Sequence, residues 1–150
     1  MSNILESLTS LFERDIDVLL KELKAYKKEE NLWLVDGDIT NCGGNLVLHL
    51  CGNLRHFVGA ILGGTSYIRQ RDDEFALKDV KKSELVSQIK ETKKAVLETL
   101  KELPESKLDE IYPVNVFGKE MTTFFFLQHL HSHLTYHLGQ LNYHRRLFDK

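Results

Sequence analysis

Histidines are concentrated near the carboxyl end of the chain, where the stretch HLHSHLTYHLGQLNYH (129–144) holds five of the seven in the sequence. An imidazole can bind a metal ion, transfer a proton or sit hydrogen-bonded in a core. In a helix, His133 and His137 lie one turn apart on the same face and can direct two ring nitrogens to one point. Zinc sites of the HExxH type use this spacing. The pair therefore predicts metal binding if another element supplies a third ligand.

The second predicted helix contains a candidate for that third ligand. On its helical wheel His49 is aligned with Asn45 and Asn53, in a polar stripe within an otherwise apolar helix. Together with His133 and His137, it would provide three neutral nitrogen ligands. Three protein ligands leave one coordination position open for water or substrate, which is typical of catalytic rather than structural zinc sites.

The helical wheel also shows on which side of the helix the other residues of the histidine run lie. His129, His137, Gln140 and His144 fall within roughly 40° of His133 at about 100° per residue. Apolar residues flank this stripe on both sides. The stripe is therefore expected at the centre of the buried face of its helix.

Several polar neighbours could support the proposed ligands. Four residues are predicted to hold the ligand rings in their orientation and tautomer: Asn53, His56, His129 and Gln140. His131 lies on the opposite side of the wheel and is expected to face water. A buried network of histidine, asparagine and glutamine can also satisfy its own hydrogen bonds, or hold water, without a metal. Spacing alone leaves both interpretations open.

The elements that carry these residues are predicted to be four long helices. The chain has only two prolines and long stretches with 3.6-residue periodicity, which indicates an all-α protein. The predicted helices cover residues 3–28, 45–62, 83–103 and 122–147, with Ser83 and Thr122 or Thr123 as N-caps. The connections between them, at 29–44, 64–82 and 104–121, exceed the roughly two to eight residues usual in simple bundles. A single domain, 1–150, with a four-helix bundle and long connecting loops is therefore expected.

Composition excludes some classes of partner. The chain has 20 basic and 22 acidic residues without a block of like charge, so we expect neither nucleic-acid nor membrane binding. No apolar run reaches the length of about 18 residues that a membrane-spanning helix needs, and the first residues lack the plan of a signal peptide. Cys42 and Cys51 have no zinc-finger or CxxC spacing. A cytoplasmic protein with reduced thiols is predicted.

The segment YIRQRDDEF (67–75) concentrates charge between aromatic residues. One interpretation is a solvated loop with ordinary ion pairs. The other is a lid over the metal site, in which Arg69 or Arg71 receives a substrate carboxylate and Glu74 acts as a base. These three residues are the candidate catalytic residues.

The second helix is apolar almost all round, with Val47, Cys51, Val58 and Leu62 opposite His49. A helix in a small bundle usually exposes one face, so a second burial partner is implied. A long loop or the partner in a two-fold homodimer could cover it. Cys51 is expected to pack on this face rather than to act as a nucleophile.

Three segments, in their order and spacing, resemble proteins of the DinB/YfiT superfamily, called DinB-like: NCGGNLVLHLCGNLRHFVGAILGG, GTSYIRQRDDEF and HLTYHLGQLNYHRRL. The resemblance spans almost the whole chain. It implies a four-helix bundle, often homodimeric, with one divalent metal held by a helix-two histidine and an HxxxH pair in helix four. The matching positions here are His49, His133 and His137.

The resemblance also implies a range of activities. DinB-like proteins with an assigned activity include metal-dependent transferases of thiols such as bacillithiol or mycothiol, and glutathione-linked isomerases. We therefore expect transfer of a thiol cosubstrate to a small electrophilic substrate. A metal-dependent hydrolase, and a non-catalytic bundle that binds small ligands or is associated with stress, remain alternatives. Zinc suits three imidazoles best, while nickel, iron and manganese are further candidates.

Overall fold

The computed structural model describes residues 3–150 and contains four long helices and one short helix. The helices are α1 (Asn3–Ala25), α2 (Gly43–Leu54), α3 (Arg71–Ala76), α4 (Lys82–Glu102) and α5 (Thr123–Phe148). α2 continues directly as a π-helix (Arg55–Leu62), and two 3-10 turns (Glu29–Trp33 and Glu105–Leu108) lie in the connections. Within residues 3–150 the only β pairing consists of two isolated bridges. The predicted all-α four-helix bundle with long connections is confirmed, and α3 is an addition to it.

α1 is amphipathic and packs against α4 and α5 through one apolar stripe. The helix ends at Ala25, three residues before the predicted end. The Asp149 carboxylate near the end of the chain accepts hydrogen bonds from the backbone N–H groups of Lys27 (2.6 Å) and Lys28 (3.1 Å). These two groups are therefore not available to continue the helix.

α2 is the central helix, and each of its twelve residues is buried. The 3-10 turn Glu29–Trp33, α3, α4 and α5 all contact it. The second burial partner that the sequence requires is thus supplied by the chain itself, largely by its long connections. That reason for a homodimer falls away, and dimerisation stays a prediction that light scattering in solution tests. Cys51 is buried as expected, and burial raises the pKa of its thiol to about 12.

The second half of the predicted helix 45–62 differs from an α-helix. Its end at Leu62 is as predicted, but from Arg55 onward the backbone forms a π-helix. The Tyr112 hydroxyl donates to the carbonyl of Phe57 within this segment (2.7 Å). π-helical turns are rare and are often found at functional sites, and Phe57 lines a pocket described below.

The helix starts follow the sequence only in part. α5 begins as predicted, because the Thr122 side chain caps it by accepting from the backbone N–H of Phe125 (3.1 Å). α4 begins at Lys82, with Lys81 in the capping position and no side-chain cap. Ser83 is therefore inside the helix, and its prediction as N-cap is wrong. None of the helices within residues 3–150 combines the length and apolar character of a membrane span.

The histidine stripe of α5 lies at the edge of the buried face, which corrects the expectation that it is central. α5 packs on α1 and α2 through a row of leucines: Leu127, Leu130, Leu134, Leu138 and Leu141. The aromatic flank on the other side of the stripe is uncovered and contains Phe125, Tyr136, Tyr143 and Leu147. Because only one flank is packed, His133 and His137 are half-buried, and His133 lines a pocket.

His131 does not face water as expected. Its Nε2 atom lies 2.7 Å from Asp15 Oδ2, and its side chain is only 16% exposed. The ring stands edge-on to Phe12 at 5.3 Å between centroids. The wheel placed His131 opposite the other histidines correctly, but α1 covers that side of α5 and offers it a buried carboxylate.

His144 is buried away from the other histidines of the stripe. Its Nε2–H donates to the carbonyl of Leu34 (2.8 Å), and its Nδ1 accepts from the Tyr26 hydroxyl (2.7 Å). Burial lowers the pKa of His144 below its ordinary 6.5, against the opposing effect of the Leu34 hydrogen bond. The neutral ring therefore stabilises the fold by joining α5 to the connection that follows α1.

This arrangement predicts acid-dependent stability. Since the folded pKa of His144 is depressed, its contribution is complete above pH 6.5 and is lost as the pH falls toward the folded value. The slope for one such group is up to about 1.4 kcal/mol per pH unit. Because the pKa values of His133 and His137 are lowered as well, the contribution of His144 is the difference in slope between the wild type and a His144 variant, measured by urea unfolding of metal-free protein between about pH 7.5 and 4.5. His144→Phe, which cannot titrate, is expected to flatten the dependence, and an unchanged slope would contradict this assignment.

Candidate metal centre

Three histidines from two helices converge at one point. His49 on α2 and His137 on α5 each place Nε2 next to Nε2 of His133, at 3.0 and 3.1 Å respectively. The ligand atoms of the three residues all lie within 4.8 Å of one another. The three predicted metal ligands are thus brought together, although His49 precedes the pair by 84 residues.

Hydrogen bonds from neighbouring residues fix the two outer rings. His49 Nδ1 lies 3.0 Å from the Glu74 carboxylate, and His137 Nδ1 lies 2.7 Å from the Gln140 amide oxygen. Both neighbours present oxygen acceptors, so each Nδ1 carries the proton. Each Nε2 therefore presents a lone pair toward the centre, which is the tautomer that a metal ligand needs.

A cation fits this centre better than protons do. The Nε2 lone pairs of His49 and His137 both point at Nε2 of His133. A neutral His133 can donate one proton to only one of them, so one lone-pair contact remains unmatched. A divalent ion would satisfy all three nitrogens at once. The two separations from His133 Nε2 are also a few tenths of an ångström from the approximately 3.3 Å expected between nitrogens bound tetrahedrally at about 2.05 Å.

The environment keeps the His133 and His137 rings neutral. Burial lowers the pKa of His133 to about 3, with smaller contributions from the neighbouring histidines and Arg69. Burial also lowers the pKa of His137, against the opposing effect of its hydrogen bond with Gln140. Neutral imidazole is the form that binds metals, so no proton has to be displaced from these two rings near neutral pH.

Glu74 is the buried partner of His49 rather than part of a solvated loop. The first turn of α3 places it against α2, where it is 5% exposed. Arg69 binds its two oxygens through Nε and a terminal nitrogen, each at 2.8 Å. Burial alone would raise the pKa of Glu74, but the hydrogen bonds from Arg69 and His49 outweigh it and hold the pKa below 4.5.

This geometry corrects the candidate role of Glu74 as a base. Both oxygens are engaged, and a depressed pKa makes the carboxylate a poor proton acceptor. Glu74 instead accepts a hydrogen bond from His49 Nδ1 and holds the orientation of that ring, as carboxylates behind metal-bound histidines do. Asn45 secures the segment by donating to the carbonyls of Glu74 (2.9 Å) and Leu77 (2.8 Å). Sequence reasoning did not predict the contact between Glu74 and His49. The only feature of the sequence that pointed to it was the alignment of Asn45 with His49 on one polar side of the helix.

The close approach of Glu74 to α2 requires a glycine at position 52. A Cβ atom there would lie 1.9 Å from Glu74 Oε2 and 2.6 Å from its Cδ. The carboxylate cannot move aside while Arg69 and His49 hold it. Gly52 therefore permits the contact that orients a ligand.

Gly52→Ala is expected to weaken metal binding by about 10- to 100-fold, because the displaced carboxylate no longer orients His49. Alanine would otherwise favour the helix by about 1 kcal/mol. Gly139→Ala in α5 is the matched control, since nothing lies within 4 Å of a Cβ atom there. Competition titration with a zinc chelator measures both variants. Equal affinities for the two would contradict the positioning role of Glu74.

The other predicted supporting residues occupy different places. Gln140 contacts His137, as described. His129 stacks near His133 at 6.4 Å between ring centroids, without a hydrogen bond to it among residues 3–150. His56 packs edge-on to Phe57 (4.7 Å) and, in the same part of the chain, makes no contact with the three ligands. The Asn53 side chain is buried, and its Oδ1 has no hydrogen-bond partner in the described structure.

A pocket opens beside the three histidines. It has a volume of about 290 Å³ and is lined by His49 and His133 of the centre, by Asn53 and His129, and by Arg69 and Arg71. Its apolar wall consists of Phe57, Val116, Phe117, Phe126 and Leu130. The residues predicted to be catalytic are thus divided: Arg69 and Arg71 line the pocket, while Glu74 lies behind His49.

Comparison with known proteins gives the fold and the family. The chain is similar to a solved DinB-like protein of Bacillus subtilis, YjoA, with a TM-score of 0.70 and 20% identity over 94% of this chain and 90% of that chain. No curated protein matches the sequence significantly. The family model described as "Protein of unknown function (DUF1572)" matches residues 2–150. The chain therefore belongs to the DUF1572 family and has the DinB-like helical fold that its sequence motifs predict.

Proposed function

We propose that the chain is a metal-dependent transferase that joins a low-molecular-weight thiol to a small electrophile. The proposal rests on one observation: Nε2 of His49 and Nε2 of His137 both point at Nε2 of His133, next to an open pocket. The thiol-transferase activities of some DinB-like proteins support the reaction class.

Some residues of the site would bind the metal ion, and others orient those ligands. His49, His133 and His137 would hold one divalent ion, and Glu74 and Gln140 keep two of these rings in the metal-binding tautomer. When bound, a divalent ion supplies Lewis acidity, which lowers the pKa of a thiol toward neutral pH. The sulfur then forms a bond to the electrophilic carbon while the leaving group departs with its bonding pair, and the thiol proton passes to solvent.

Zinc is the proposed ion. Three imidazoles with ligand atoms within 4.8 Å of one another match its preferred nitrogen ligands, and zinc sites with three protein ligands are usually catalytic. Nickel, iron and manganese also accept imidazole and are compared directly in the test below.

The test is thiol consumption by protein loaded with zinc, nickel, iron or manganese. Bacillithiol, mycothiol and glutathione are each offered with the electrophile monochlorobimane, whose thiol adduct is fluorescent. We expect metal-dependent adduct formation that the His133→Ala/His137→Ala variant lacks. Equal rates for the wild type and the variant would overturn the proposal. Hydrolysis of para-nitrophenyl acetate without any thiol, in place of adduct formation, would favour a hydrolase.

A further inference from the structure

We propose that the pocket beside the three histidines binds a small planar organic anion carrying a hydrogen-bond donor, and that Arg71 and Asn53 select it. The inference rests on the proposed function, because it assigns this ligand class to the acceptor substrate. Three features of the pocket support it: its aromatic wall, an unpaired buried oxygen and an uncompensated positive charge.

The aromatic wall favours a flat apolar body. Phe57 and Phe117 both stand edge-on to Phe126, at 5.1 and 6.0 Å between ring centroids. His129 adds a further ring, stacked with Phe126 at 5.8 Å. A planar group gains dispersion and ring contacts on such a surface. The volume of about 290 Å³ is at the lower end for small-molecule sites and suits a compact acceptor better than a long peptide-like thiol.

Asn53 supplies the unpaired oxygen. The residue is 7% exposed, and its Oδ1 has no hydrogen-bond partner within residues 3–150. Buried polar atoms are nearly always paired, and an unpaired acceptor destabilises the site that contains it. Asn53 lines the pocket, and the inference is that a small rotation of its side chain lets a ligand hydroxyl or amide N–H satisfy this oxygen. A ligand without a donor would leave it unpaired, which gives a basis for selection.

The charge of the pocket comes from two arginines with different partners. Arg69 uses Nε and a terminal nitrogen to bind Glu74, which neutralises it. Arg71 makes no ion pair among the described residues, and its guanidinium lies over the Phe75 ring at 5.4 Å. Among the described residues, no carboxylate lines the pocket. Arg71 is therefore free to bind a ligand carboxylate, and a metal ion beside it would strengthen the preference for an anion.

Three probes separate these contributions: para-hydroxybenzoate has the ring, the anion and the donor, benzoate lacks the donor, and methyl para-hydroxybenzoate lacks the charge. Binding is measured by calorimetry on zinc-loaded and metal-free protein. Arg71→Gln is expected to weaken the binding of both anions about five- to tenfold and to leave the affinity for the ester unchanged. Asn53→Leu is expected to lower the affinity for para-hydroxybenzoate to that for benzoate. Arg146→Gln, an exposed arginine that does not line the pocket, is the control.

Two results would overturn the inference. One is no saturable binding of para-hydroxybenzoate up to about 10 mM, the weakest affinity expected for a ligand of its size. The other is that the Arg71→Gln variant binds both anions as tightly as the wild type does. Because Arg71 is exposed, its substitution should not disturb the fold, so the test remains informative if Asn53→Leu does not fold.

The proposed function and the pocket can fail separately. Zinc uptake and thiol consumption without anion binding would remove the pocket assignment alone. Arg71-dependent anion binding by a protein that takes up no metal would support the pocket and remove the metal-dependent transferase.

Discussion

Replacing His133 and His137 together by alanine is expected to reduce bound metal from about one ion per chain to background. The substitution leaves His49 as the single nitrogen ligand, and one imidazole does not hold a divalent ion against buffer and water. Both rings lie at the edge of the core, and their removal also eliminates the unmatched contact between lone pairs. The fold is therefore expected to survive, so the loss of metal would report on the centre itself.

Elemental analysis of tag-free protein after loading with zinc and exhaustive dialysis measures this effect. His56→Ala is the matched control, because His56 shares the polar side of α2 and its continuation but packs on Phe57 outside the centre. The control is expected to keep the full metal content. If the double variant kept as much metal as the control, the ion would be bound elsewhere.

Glu74→Ala is expected to have the largest effect on stability, about 3–5 kcal/mol in the free energy of unfolding of metal-free protein. The substitution leaves the Arg69 guanidinium, whose side chain is 11% exposed, without its carboxylate partner. His49 Nδ1 also loses its acceptor, and metal affinity is expected to fall about 10- to 100-fold. Urea unfolding gives the first quantity, and competition with a chelator gives the second.

Two further variants separate the two roles of Glu74. Glu91→Ala removes the exposed carboxylate that pairs with Arg55 and is expected to change neither quantity noticeably. A Glu74→Leu/Arg69→Met variant replaces the buried pair by apolar side chains and is expected to recover much of the stability but none of the affinity. Glu74→Ala behaving like Glu91→Ala would contradict the positioning role.

Local periodicity was sufficient to predict the four long helices and to single out the three candidate ligands, while α3 and the π-helical segment were not predicted. Apolar spacing of three and four residues gives α1, α4 and α5 nearly to their ends, because such stripes must be buried. The ligand set follows from two further local facts: His133 and His137 are one turn apart, and His49 interrupts an apolar helix. A polar group in such a helix needs a partner, and the structure brings the three rings together.

What the sequence could not provide depends on packing between distant segments. Whether α5 presents its histidines to the core or to a cleft is decided by which flank α1 and α2 cover. His131 is buried because α1 places Asp15 beside it. The sequence around Glu74 is compatible with a base or with a surface charge, and the packing of α3 against Gly52 decides its place. Each of these outcomes is a tertiary contact that no local sequence pattern specifies.

X-ray absorption of the zinc-loaded protein tests the central claim most directly, because it reports the atoms bound to the ion. Three histidines holding zinc predict a shell of nitrogen and oxygen ligands at about 2.0–2.1 Å with imidazole scattering. That signal is expected to disappear in the His133→Ala/His137→Ala variant. A sulfur ligand at about 2.3 Å would place the ion on Cys42 or Cys51 instead, and would contradict a metal centre formed by His49, His133 and His137.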